Sequence, residues 1–180
     1  MRNMPGQPRA GFTLVELLVV MVIIAVVVSG VVFSIGVVGQ DRELQREADR
    51  LVSLLAYSRE QAELTSREYG LYCLAGGYSF VLFNPRTSLW VDLANDEVLR
   101  ERTLPAGLST RLWVEGREIV LPLAVPLDQA DLKPQILLFS NGDVNTFELQ
   151  LERADAGRWI RLAVNEQGEV SAGDISTGTH

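Results

Sequence analysis

GFTLVELLVVMVIIAVVVSGVVFSIGVV, residues 11–38, is separated by Gly39 alone from QDRELQREADRLVSLLAYSREQAELTSRE, residues 40–68, and the two stretches together decide the fold. After Gly11 the first has four clearly polar side chains, Thr13, Glu16, Ser29 and Ser34. Its 27 residues from Phe12 to Val38, at about 1.5 Å each, make a helix of roughly 40 Å, enough for a hydrocarbon core of about 30 Å. The second stretch has neither Gly nor Pro, and Leu44, Ala48, Leu51, Leu55, Ser58 and Ala62 recur at steps of three and four. That spacing is one amphipathic stripe on a helix. Nothing from residue 12 to about 67 is proline, so the pattern predicts one continuous helix roughly 84 Å long. Gly30, Gly36 and Gly39 each weaken it by about 1 kcal/mol relative to Ala. The charged face, Asp41, Arg42, Glu43, Arg46, Glu47, Asp49 and Arg50, is expected to be solvated.

Working outward, residues 1–11 carry Arg2 and Arg9 ahead of the apolar run, and positive charge there keeps that end cytoplasmic. A secretory signal would be shorter and would end in a small-residue cleavage site. Here the run passes straight into polar helix, so the chain is expected to stay anchored with its bulk on the far side. Glu16 is the one carboxylate of residues 12–38, and a carboxylate at depth costs about 2.5 kcal/mol or more. Two readings stand. Glu16 sits at the interface and complements the helix dipole, or it neutralises a positive group from another copy or another protein.

From Tyr69 the period becomes that of strands. GLYCL, Gly76-Gly77 and YSFVLF read as a hairpin closed by Asn84-Pro85. Further strands are expected at 89–93, 98–103, 110–114 paired through Glu115-Gly116 with 118–121, then 135–139, 145–152, 159–164 and 169–171. Turn signals separate them, among them Ser140-Asn141-Gly142-Asp143 and Glu166-Gln167-Gly168. Residues 122–134 read as a loop. The fold class is α+β: a long N-terminal helix, transmembrane then amphipathic, packed on antiparallel β-sheets, with the helix covering one sheet.

The chemistry the chain can perform is narrow. With one Cys, Cys73, no intramolecular disulfide forms, and the one His, His180, is the last residue. A nucleophile and imidazole arrangement needs a held imidazole, and a zinc site needs three or four ligands. Cys73 lies in an apolar run and reads as a small buried hydrophobe on a strand. Asp92, Asn95, Asp96 and Glu97, and separately Asp128 and Asp131, offer oxygen ligands for calcium but match no calcium-loop spacing, so they read as turn carboxylates. From Gly39 onward there are 14 basic and 22 acidic side chains, a net of −8, which repels polyanions. Arg158, Trp159 and Arg161 are the one basic and aromatic grouping, and strand alternation splits it between two faces. No catalysis, cofactor, metal or nucleic-acid partner is expected.

The string Gly11-Phe12-Thr13-Leu14-Val15-Glu16, followed by the apolar run, resembles the class III signal of type IV pilins and type II secretion pseudopilins. The resemblance implies that a prepilin peptidase cuts between Gly11 and Phe12 and methylates the new amino terminus at Phe12. It also implies that Glu16, fifth in the mature chain, pairs with the amino terminus of a neighbouring subunit during assembly. Ala10 stands where such signals commonly have Lys or Arg, with Arg9 adjacent. Downstream, Gly77-Tyr78-x-Phe80, Trp90, Leu99, Leu104-Pro105-x-Gly107, Ile136-x-x-Phe139-x-x-Gly142 and Phe147-x-Leu149 follow in order. Gly157-Arg158-x-x-Arg161-Leu162-x-Val164-x-x-x-Gly168-x-Val170 closes the pattern, which resembles the minor pseudopilin H family of type II secretion systems.

That resemblance implies a leader at 1–11, a transmembrane helix half at 12–38, an amphipathic half at 39–67 and a periplasmic β-rich domain at 68–180. It places the chain in the inner membrane as a single-pass protein. Its implied partners are the major pseudopilin G and minor pseudopilins I, J and K in a hetero-oligomeric filament tip. The alternative is a minor type IV pilin of the FimT or FimU kind, serving pilus assembly or DNA uptake. No GxxxxGK[ST] nucleotide loop is present, so the work of assembly comes from a separate ATPase.

Overall fold

The computed structural model describes residues 14–165 and 168–178, with side chains except those of residues 28–41. Helix α1 runs from Leu14 to Thr65, 52 residues, as the absence of proline from the run permits. The chain divides into two compact units, Met1–Gln40 and Asp41–His180. In the first unit every described helix side chain, Leu14 to Val27, is exposed. Among the described residues no helix is long and apolar enough to cross a membrane.

In the second unit α1 carries its apolar stripe into a core. Leu44, Ala48, Leu51, Leu55, Ser58 and Ala62 are all buried, and the Ser58 hydroxyl is satisfied by donating to the Leu54 carbonyl at 2.8 Å. The helix stops at Ser66, which takes a left-handed φ of 52°. There Arg67 N–H donates to Ala62 O and Ser66 N–H to Glu63 O, the paired bonds that close a helix when the next residue turns left-handed.

Two antiparallel sheets follow. The first contains β1 (Tyr69–Leu74), β2 (Gly77–Asn84), β3 (Leu89–Asp92), β4 (Arg102–Thr103) and β7 (Ile136–Leu138), in the order β3-β2-β1-β7 with β4 also on β2. The second contains β5 (Leu108–Val114), β6 (Arg117–Ile119), β8 (Phe147–Arg153), β9 (Arg158–Val164), β10 (Val170–Ala172) and β11 (Ser176–Thr177), in the order β10-β9-β8-β5-β6 with β11 also on β9. The turn between β5 and β6 uses positive φ at Glu115 and Gly116, 50° and 77°, which matches the twist of paired strands.

Two expectations change, and one strand was not expected. The helix does not cover one sheet: its stripe shares a single core with Leu71 and Phe80 of the first sheet and Leu112, Leu149, Leu151, Ile160 and Leu162 of the second. Both sheets are apolar on their inner faces, so one helix buries against both. The expected strand at 98–103 shrinks to Arg102–Thr103. The Asp96 carboxylate accepts from Val98 N–H and Leu99 N–H, both at 2.8 Å, and holds that segment in a turn. Strand β11 is polar and has no apolar alternation to announce it; it exists because Ser176 and Thr177 pair with Trp159 and Arg158.

β1 is buried on both faces. Its far face, Tyr72 and Leu74 with Val81 of β2, is covered by Val125 and Leu132 from the 122–134 loop and by Trp90. The loop passes so close that a Cβ on Gly70 would lie 2.5 Å from the Pro134 ring. Glycine at 70 is what lets the loop seat.

Candidate functional site

α1 carries the first candidate surface. Glu16 lies in the first turn of the helix and is exposed, among side chains that are otherwise apolar and equally exposed. Gly11 and Phe12, the processing positions, lie outside the described residues. Fourteen consecutive exposed side chains, Leu14 to Val27, thirteen of them apolar, form a surface that water disfavours.

Past residue 41 the charged face of α1 is not simply solvated. Glu47 is buried and receives Arg50 Nη1 at 2.8 and 3.0 Å. It borders Tyr78, whose phenol is pushed from its ordinary 10.0 to about 12, by burial first and then by the Glu47 charge, with Arg102 and Arg50 opposing. The neutral phenol is favoured by folding. Its contribution to stability is therefore level below pH 10 and falls as pH rises from 10 toward 12.

Glu43 reaches the sheet: it accepts from Arg153 Nη2, while Arg153 Nη1 donates to Ala106 O at 3.4 Å. Arg153 is 5 % exposed because strand parity sends it inward with Leu149 and Leu151. An arginine in step with two leucines is the signal by which this partnership is legible, since such a charge needs a carboxylate. Glu43→Gln is expected to lower the stability of the domain by about 1–3 kcal/mol, read as a lower urea midpoint with unchanged slope. No shift in midpoint would show that the contact is idle.

The remaining candidates resolve into structure. Asp92 accepts from Ala94 N–H at 3.1 Å and Asp128 from Ala130 N–H at 2.9 Å, so with Asp96 these carboxylates cap turns. Among the described residues no cluster of three or more His, Cys, Asp or Glu is arranged to hold a metal. Cys73 is fully buried, its N–H donates to Gln135 Oε1 at 2.7 Å, and burial pushes its thiol well up. Because the thiolate is the nucleophile, iodoacetamide is expected to label Cys73 only after denaturant is added; labelling of the native chain would contradict that burial.

On the outer face of the second sheet Arg111 and Arg161 flank Gln150 in register. Arg111 lies over Trp113 at 4.9 Å and pairs with Glu118 at 2.7 Å. Arg161 lies over Trp159 at 5.1 Å and pairs with Glu148 at 3.3 Å. Each of these guanidiniums is matched by a carboxylate, which leaves the face without a positive excess for phosphates.

Comparison with known proteins agrees with this geometry. Residues 7–38 match the prokaryotic N-terminal methylation motif, and residues 47–168 match the type II transport protein GspH. The chain is 35 % identical over 159 residues to the type II secretion system protein H of Pseudomonas aeruginosa, covering 85 % of this chain and 89 % of that one. It is 28 % identical over 158 residues to the protein of the same name from Aeromonas hydrophila, covering 85 % and 86 %. Among solved structures, the minor pseudopilin EpsH of the Vibrio cholerae type 2 secretion system matches with a TM-score of 0.58 at 20 % identity, over 73 % of this chain and 97 % of that one. The solution structure of E. coli GspH matches with a TM-score of 0.54 at 19 % identity, over 77 % and 90 %. These two show a shared fold: a long helix joined to antiparallel sheets. With its methylation motif, its helix-and-sheet architecture and a match across 47–168, the chain belongs to the type II transport protein GspH family.

Proposed function

We propose that this protein is a minor pseudopilin of a type II secretion system, built into a short periplasmic filament that helps move folded proteins across the outer membrane. The observation that carries the reading is the contrast along α1. From Leu44 to Ala62 its apolar stripe is buried in its own domain, whereas from Leu14 to Val27 every side chain is exposed. A helix half so apolar is stable only when lipid or neighbouring helices cover it. Lipid supplies the cover while the subunit waits in the inner membrane, and sister helices supply it in the filament.

In this reading residues 1–11 are a leader and residues 12–38 the single membrane pass. The amphipathic half, 39–67, and the periplasmic domain, 68–180, stand beyond it. Prepilin peptidase cuts between Gly11 and Phe12 and methylates Phe12. Glu16 then meets the charged amino terminus of an adjoining subunit, and the partners are the major pseudopilin G and the minor pseudopilins I, J and K at the tip. The protein works by packing, not by catalysis, and the force for extraction comes from a separate cytoplasmic ATPase.

Intact-mass measurement of chain extracted from membranes is expected to show loss of residues 1–11 and the gain of one methyl group. An uncut leader in a host with active prepilin peptidase would overturn the reading.

A further inference from the structure

We propose that the loop joining β6 to β7 is a docking knob that seats its apolar side chains in an apolar, basic-rimmed pocket of a different subunit of the filament. The inference rests on the filament reading above and names a contact within it. Val120, Leu123 and Leu127 are 95 %, 89 % and 105 % exposed, the most exposed large apolar side chains of the β domain. The others, Tyr57, Leu64 and Val98, are scattered over the domain and less exposed, as single surface hydrophobes commonly are.

These three side chains are held out by a loop that is itself fastened down. Leu121 packs against the main core, and Val125 and Leu132 pack on the far face of the first sheet. Ala75 N–H donates to Pro122 O at 2.9 Å, and Pro122 and Pro126 restrict the backbone between the anchors. The loop thus presents its apolar side chains from an ordered platform. Little conformational entropy remains to be lost on docking.

Charge and area select the occupant. Asp128 and Asp131 follow the knob, offset by Lys133 alone, in a chain of net −7. Anionic headgroups would be repelled, and a basic rim is complementary. A two-fold pairing of two copies through this loop would bring one acidic loop against another. Three aliphatic side chains also cover only on the order of 300 Å², against about 800 Å² per partner in a self-sufficient interface. A subunit already held in a filament by its helix needs no more than such a supplementary contact to set which neighbour it accepts.

The test uses the full chain in a host that carries its own secretion genes, with a photoreactive residue in place of Leu123 and, as the control position, Arg117. Irradiation is expected to yield a Leu123-position adduct with pseudopilin G, I, J or K, identified by mass spectrometry, and none from position 117. Replacing Val120, Leu123 and Leu127 together by Ser is expected to reduce secretion about tenfold at normal membrane level and normal leader cleavage. The proposal is overturned by adducts of two copies only, by lipid adducts only, by adducts with proteins outside the filament only, or by no adduct. Secretion by the triple variant equal to that of the parent would also overturn it. If the chain is processed and needed for secretion in any of these cases, the docking proposal fails alone. If deleting the whole chain leaves secretion unchanged, the functional reading beneath it fails.

Discussion

Glu16→Ala is expected to leave membrane insertion and leader removal intact while cutting incorporation into the filament, and with it secretion, by about a hundredfold. Glu16 opens α1 amid exposed apolar side chains, so under the proposed filament reading docking of a subunit would carry this carboxylate into a setting of low dielectric. There a carboxylate and a protonated amine are each costly alone, and pairing offsets much of that cost. Removing one partner strands the other, at about 3 kcal/mol, and about 1.4 kcal/mol is a factor of ten in an equilibrium. Glu16→Asp is expected to fall between, because the charge survives with a reach shorter by one methylene. Co-purification with the other pseudopilins, normalised to membrane level, is the measurement. Assembly of the Ala variant at the parent's level would make Glu16 an interfacial residue that complements the helix dipole and nothing more.

A fragment beginning at residue 40 is expected to fold as a soluble monomer without detergent or reductant, and Leu51→Ala within it to cost about 2–5 kcal/mol. The fragment keeps the whole second unit, Asp41–His180. Leu51 is fully buried in the centre of the stripe, in the core shared by both sheets. Truncating it opens a cavity in that shared core, and the cavity is not easily refilled because the surrounding strands are tied to one another. Urea unfolding should show a lower midpoint at unchanged slope. In the full chain Val22→Ala, at an exposed helix position, is expected to leave domain stability within about 0.5 kcal/mol. A fragment that aggregates without detergent, or a Leu51→Ala cost near zero, would show that the domain does not stand on its own core.

The difference between those two helix positions was readable from spacing. Leu44 to Ala62 recur at steps of three and four, and a helix turns those steps into one face whatever it meets. The hairpin of β1 and β2, the Glu115-Gly116 turn and the burial of Cys73 were equally local readings. They depend on backbone φ, alternation and hydropathy within a few residues.

Other features depended on residues far apart in the chain. Helical spacing sets Glu47, three residues after Leu44 and four before Leu51, and Glu43 beside the apolar stripe, away from Arg42 and Arg46, but it does not say what they meet. Their roles come from Arg153, 110 residues away, and from the Tyr78 ring that flanks Glu47. The segment 98–103 has a strand's composition, yet the Asp96 carboxylate takes up its backbone donors. Strand β11 has no pattern of its own and is specified by β9.

The long helix, its division into an apolar and an amphipathic half, the antiparallel α+β class and the N-terminal methylation motif are legible from residue order alone, because each follows from periodicity or from adjacent residues. Long-range packing settles that one helix serves two sheets, that Glu47 is buried, and that Val120, Leu123 and Leu127 point outward while Leu121, Val125 and Leu132 point in. The physical reason is that burial in a loop without period is set by which distant surface the loop lies against, here the far face of β1 and β2, and no local repeat encodes that surface.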